Sequence, residues 1–158
     1  MMRPPLGYAA ICGAVAGVLG GVAEVGWIWL YATMTGSDPG VVARGVTFAV
    51  GFDSHWLSPV ASGTIIHMAL AAVLGIVLAM ALRPMGDALR GIGELVAVTA
   101  ALMVVWIVNF FVLLPFISPE FVNIVPLGVS FASKLLFGVA AASCFHLIKP
   151  ARIDAIQV

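Results

Sequence analysis

Charged side chains are scarce in this sequence. Seven Lys and Arg and seven Asp and Glu make up 9% of its 158 residues, where a soluble domain carries about a quarter. That shortage excludes an ordinary soluble domain. The charges also cancel to a formal zero, so no excess of either sign exists to recruit nucleic acid or an acidic polymer. Cysteine is nearly absent. Cys12 and Cys144 are too few for a disulfide framework and lack the CxxC spacing of a metal or redox site. Nucleophile-elbow, phosphate-loop and zinc-protease motifs are missing, and GIGELV at 91–96 is no nucleotide fingerprint because no strand precedes it. Enzyme activity finds no positive support in these motifs.

What the sequence has in abundance is apolar length. Hydrophobic residues make up 63% of the chain, and its mean hydropathy is +1.17. A helix that crosses the hydrocarbon core needs about 20 apolar residues, and four stretches supply them: 6–31, 58–82, 92–114 and 125–148. The expected fold is all-α, an integral membrane four-helix bundle forming one domain over 1–158. Arg3 ahead of the first stretch gives it the look of a signal peptide, but its apolar run exceeds the roughly 7 to 15 residues of such a core. Bulky Ile11 before Cys12 also disfavours lipoprotein cleavage, so this helix is expected to be retained.

Arg3, Arg83, Arg90, Lys149 and Arg152 flank one side of these spans and Arg44 the other. By the positive-inside rule both termini lie in the cytoplasm, an N-in, C-in arrangement. Trp27, Trp29, Tyr31 and Trp56 then collect at the outer boundary as an interfacial belt. In the first outer loop, PGVVARGVTFAVGF has the apolar content of a short interfacial helix or, more plainly, of a connector on the membrane surface. In the second, Pro115, Pro119 and Pro126 end one helix and start the next, as a rigid lipid-facing turn.

Each span carries one strongly polar residue at a similar depth. At 1.5 Å per residue, Glu24 lies about 10 Å below the outer boundary, His67 and Lys134 about 13 Å, and Asn109 about 8 Å. Rotational position points the same way. Gly13, Gly17, Gly20 and Gly21 precede Glu24 on its own face, Gly63, Ala71, Gly75 and Ala79 flank His67, and Ser130, Gly138 and Ala142 flank Lys134. Small-residue stripes let backbones approach closely, so these faces are expected to meet other helices. Asn109 has Val105 and Leu113 as neighbours, and its direction stays open.

An unpaired charge at that depth costs several kcal/mol. Glu24 and Lys134 are therefore expected to form an interhelical ion pair, with His67 and Asn109 within hydrogen-bonding range. Such a cluster either fixes helix register, the best-attested role of buried polar groups, or marks a proton or solute pathway.

Other candidates are weaker. His146 and His67 lie at opposite ends, which excludes shared haem ligation, and a di-iron site needs more carboxylates than Glu24 and Glu94. No metal and no cofactor are expected. Glu94 reads as an acid complementing the dipole in the first turn of its helix, Trp106 as packing, and Cys12 and Cys144 as free thiols in a reducing compartment. Asp53, His55 and Glu120 are loop residues without an assigned role.

The segment IIHMALAAVLGIVLAMALRP at 65–84 resembles the histidine-and-glycine helix of small four-helix bacterial inner-membrane proteins of the YagU type. FFVLLPFISP at 110–119, followed by SKLLFGVAAASCFHLI at 133–148, has a similar order of elements. The resemblance implies a multi-pass protein of the bacterial inner membrane and carries over no catalytic residues; the first outer loop departs from that pattern in length and content.

Two functions follow as expectations. One is a non-catalytic membrane protein acting through helix contacts, with itself or as an accessory subunit of a bacterial membrane complex; little of the chain lies outside the bilayer to house chemistry. The alternative is a small transporter or proton-linked channel using Glu24, His67, Asn109 and Lys134. The lipid bilayer is a partner in both.

Overall fold

The computed structural model describes residues 5–52, 55–88 and 91–148, and every regular element among them is helical. Four helical segments have the length and apolarity of membrane spans: Leu6–Thr35, Pro59–Met85, Ile92–Ile117 and Leu127–Ile148. Arg3, Asp53, Arg90, Lys149 and Arg152, used above for orientation or weighed as loop residues, lie outside the described residues. Arg83 lies near the end of the second span, whereas Arg44 sits in the short helix before its start.

Helix α1 (Leu6–Thr35) runs a turn beyond the expected Tyr31. It stops at Gly36, whose left-handed φ of 69° lets its N–H reach back to the Ala32 carbonyl. Helix α2 (Val41–Ala49) occupies the first loop. Helix α3 (Pro59–Leu82) begins with strong local signals: the Ser58 hydroxyl accepts from the Ala61 N–H, and Pro59 fills the first turn, where a missing N–H is harmless.

The third span departs from the expected end at Leu114. Helix α4 (Ile92–Val108) widens into a π turn over Asn109–Leu113, and α5 (Leu114–Ile117) continues through Pro115 before Ser118 breaks the run. In the wide turn the Leu114 N–H bonds to the Asn109 carbonyl, five residues back. Pro115 sits in the first turn of the segment that follows, where proline is tolerated. The second loop is itself structured, with a 3₁₀ turn over Pro119–Asn123, and α6 (Leu127–Ile148) starts where the Val129 and Ser130 N–H groups bond to the Pro126 carbonyl.

Helix α1 packs between α3 and α6, and α4 packs on the far side of α6, without comparable packing between α3 and α4. Toward the chain-terminal end the four spans share a core containing Ala16, Leu78, Leu102 and Phe137. Lipid offers no hydrophobic drive to bring helices together, so close packing must do it. The glycines provide that closeness. A Cβ on Gly17 would lie 2.1 Å from the Ala71 carbonyl oxygen, and one on Gly13 would lie 2.6 Å from that of Gly75. Gly21 meets Ala71, while the adjacent Gly20 meets the Phe137 ring on α6, so neighbouring glycines serve different interfaces. Gly138 abuts Thr99 of α4, and Gly63 receives the Ala43 carbonyl of α2. Large apolar residues such as Ile11, Ile65, Val73 and Phe116 point outward.

Candidate functional site

Close approach of α1 to α3 and α6 decides where Glu24 sits. Gly17, Gly20 and Gly21 draw the three helices together one and two turns before it, and Glu24 is only 8% exposed. Its Oε1 lies 2.5 Å from Lys134 Nζ on α6 and 3.1 Å from the hydroxyl of Ser133. Ser133 also lies 2.7 Å from the Ser130 carbonyl, so its single proton is shared between two acceptors. Lys134 Nζ stands 5.8 Å from the centroid of the Phe137 ring, an additional favourable contact for the ammonium.

The second carboxylate oxygen is different. Among the described residues Glu24 Oε2 has no hydrogen-bond partner, and neither has His67 Nε2 on α3. The two atoms face each other at 3.8 Å, within ion-pair range and beyond a hydrogen bond. His67 is therefore beside Glu24 but not bonded to it, contrary to the expected hydrogen bond. Asn109 also makes no hydrogen bond to Glu24, His67 or Lys134 among the described residues; it starts the π turn, where the local rotation differs from that of a regular helix. It instead lines the same cavity as the other three.

That cavity has a volume of about 490 Å³ and lies between α1, α2, α3, the π turn and α6. Its polar end is formed by Glu24, His67, Lys134, Ser130 and Ser133, and most of the remaining wall is apolar. Across its far side α2 meets the Pro119–Asn123 turn: a Cβ on Gly45 would lie 2.7–2.8 Å from Ile124 and Phe121 side-chain atoms. Helix α2 is tied to the start of α3 by the Thr47 hydroxyl, which donates to the Pro59 carbonyl at 2.6 Å. Its own start is held by an ion pair between Asp38 and Arg44. That guanidinium, together with the Gly40 N–H, holds the Asp38 carboxyl below the usual aspartate value.

Two contributors escaped the sequence reading. Ser133 carries no signal beyond being next to Lys134. Trp106, read above as packing, also donates its indole N–H to Ser130 Oγ at 2.9 Å and lines the cavity. Glu94 is in the first turn of α4 and buried, and His146 is exposed in the last turn of α6. Cys12 and Cys144 are free thiols, and His55 and Glu120 are exposed. Among the described residues no three His, Cys, Asp or Glu side chains converge as a metal site would require.

Comparisons with known protein families, curated proteins and solved structures find no match to this chain.

Proposed function

We propose that the chain is a small multi-pass membrane protein, a four-helix bundle with both termini in the cytoplasm, that binds and moves a small solute in a proton-linked manner. The observation that carries this reading is the placement of the Glu24, His67 and Lys134 side chains on the wall of an open cavity, with one carboxylate oxygen and one imidazole nitrogen left without partners among the described residues. A polar cluster serving as a brace has no need of a cavity beside it. An acid and an imidazole 3.8 Å apart can exchange a proton through one bridging group.

Action through contacts with other membrane subunits, the other expectation, draws less support. The small-residue faces that would receive a partner helix are filled from within the chain by α2, α3, α4 and α6. A bacterial inner-membrane setting, proposed from the YagU-type resemblance, accompanies this reading.

Reconstitution into liposomes loaded with a pH-sensitive dye tests it. Proton movement is expected with the parent protein and is expected to be lost in Glu24→Gln. Equal movement in both, or none in either, would overturn the proposal.

A further inference from the structure

We infer that the cavity takes an uncharged, apolar molecule bearing a hydroxyl group, and that this ligand enters from the bilayer through the gap between α3 and α4. The inference rests on the reading of the Glu24 cluster as a ligand site and adds the class of ligand and its route.

The class follows from the chemistry of the walls. Glu24 and Lys134 already neutralise each other at 2.5 Å, so a further ion entering this largely apolar space would lack a counter-charge and lose its hydration. A neutral molecule suffers no such loss. What the site leaves unsatisfied is a pair of atoms, Glu24 Oε2 and His67 Nε2, 3.8 Å apart. A hydroxyl oxygen at ordinary hydrogen-bond distance, about 2.8 Å from each, fits between them. It donates to the carboxylate, and its lone pairs accept from the imidazole when Nε2 carries the proton. A carbonyl cannot donate to Glu24, and an ammonium would compete with Lys134. The rest of the molecule meets Trp106, Phe110, Phe121 and aliphatic side chains, which suits an aromatic or aliphatic body.

The route follows from exposure. Across the α2 end the cavity is covered where α2 packs on the second loop through Gly45, Phe121 and Ile124. Leu70, Trp29, Val50 and Ile117 all line the cavity and are more than half exposed, and of these Leu70 lies farthest from a helix end. It stands eleven residues beyond Pro59, about 16 Å along a helix of 24 residues. An exposed lining residue at mid-span puts the opening at hydrocarbon depth, where the neighbour is lipid and where α3 and α4 lack the close packing that joins α1 to α3 and α6.

The test uses the full chain in lipid nanodiscs with 1-naphthol as the probe and naphthalene, which has the same rings without the hydroxyl, as its control. Saturable binding of 1-naphthol above that of empty nanodiscs is expected. Naphthalene is expected to bind about ten- to a hundredfold more weakly, the effect of losing a hydrogen bond to a charged group. Leu70→Trp, which plugs the gap, is expected to weaken 1-naphthol binding at least as much, while Val77→Trp, exposed on the same helix and away from the cavity, leaves it unchanged. Glu24→Gln and His67→Ala, each removing one of the two groups that the hydroxyl meets, are expected to cut the preference for 1-naphthol over naphthalene, and His67→Ala reads that contact should Glu24→Gln fail to fold. Equal binding of the two probes overturns the ligand class, and unaltered binding in Leu70→Trp overturns the route. The liposome proton assay run in parallel separates the two proposals: Glu24-dependent proton movement without naphthol preference sinks this inference alone, and naphthol binding without proton movement sinks the transport reading alone.

Discussion

A Cβ atom on Gly75 of α3 would stand 2.1 Å from the carbonyl oxygen of Gly13 on α1, closer than any two such atoms can approach. The contact is backbone against backbone, so no side chain can turn aside to relieve it. Gly75→Ala is therefore expected to push α1 and α3 apart and to cost about 1–3 kcal/mol or more, as overpacking does. Gly26, on the same α1, has nothing within 4 Å of a Cβ, and Gly26→Ala is expected to be neutral or to stabilise by about 0.5–1 kcal/mol through helix propensity. Thermal melts in mild detergent compare the two. Coincident midpoints would mean that the Gly13 and Gly75 backbones do not meet.

Removing one member of the ion pair is expected to be worse than removing both. Lys134→Met leaves Glu24 buried with Ser133 as its remaining donor, and breaking a buried pair this way costs about 3–5 kcal/mol. The double variant Glu24→Leu with Lys134→Met carries no stranded charge and is expected to recover most of that loss. Stability of the two singles and the double, read as a mutant cycle, gives the coupling. Additive effects would show that the two groups do not interact.

Asn109 offers a separation of stability from function. Its side chain faces the cavity without a hydrogen bond to Glu24, His67 or Lys134, so Asn109→Leu is expected to leave the melt within about 0.5 kcal/mol of the parent, as substitutions away from specific contacts do. Proton movement in liposomes is expected to fall, because the polar lining on that side is lost. A large drop in stability would show instead that the amide holds the π turn together.

The clamp at the start of α2 is expected to weaken in acid. The Arg44 guanidinium, then the Gly40 N–H, lower the Asp38 carboxyl from its ordinary 3.8. A folded carboxyl that binds its proton less tightly than the unfolded one contributes stability in full above the unfolded value. That contribution is lost as pH falls through the lower folded value. Carboxyl NMR titration of Asp38 is expected to show the depressed midpoint, and Arg44→Gln to return it upward. An unchanged midpoint in the variant would remove Arg44 as the cause.

Much of this molecule is local information. Runs of apolar residues are read by lipid one segment at a time, so the number and approximate placement of the four spans are visible in hydropathy alone. So is the need of Glu24 and Lys134 for partners, since a lone charge in an apolar helix is costly wherever that helix sits. Helix ends were less legible: α1 outran its aromatic residues to reach Gly36, and Pro115 did not stop the third span, because the π turn before it lets the helix continue through the ring. Tertiary structure decided the remainder. Which helices touch, and at what rotation, depends on backbone contacts between residues far apart in sequence, such as Gly17 with Ala71 and Gly20 with Phe137. Those contacts bring Lys134 to Glu24 across 110 residues, leave His67 3.8 Å from the same carboxylate, and leave α3 and α4 without the close packing of the other pairs. A periodic pattern records which face of a helix is small or polar; it carries no record of the partner that face will meet, and the cavity exists only between partners.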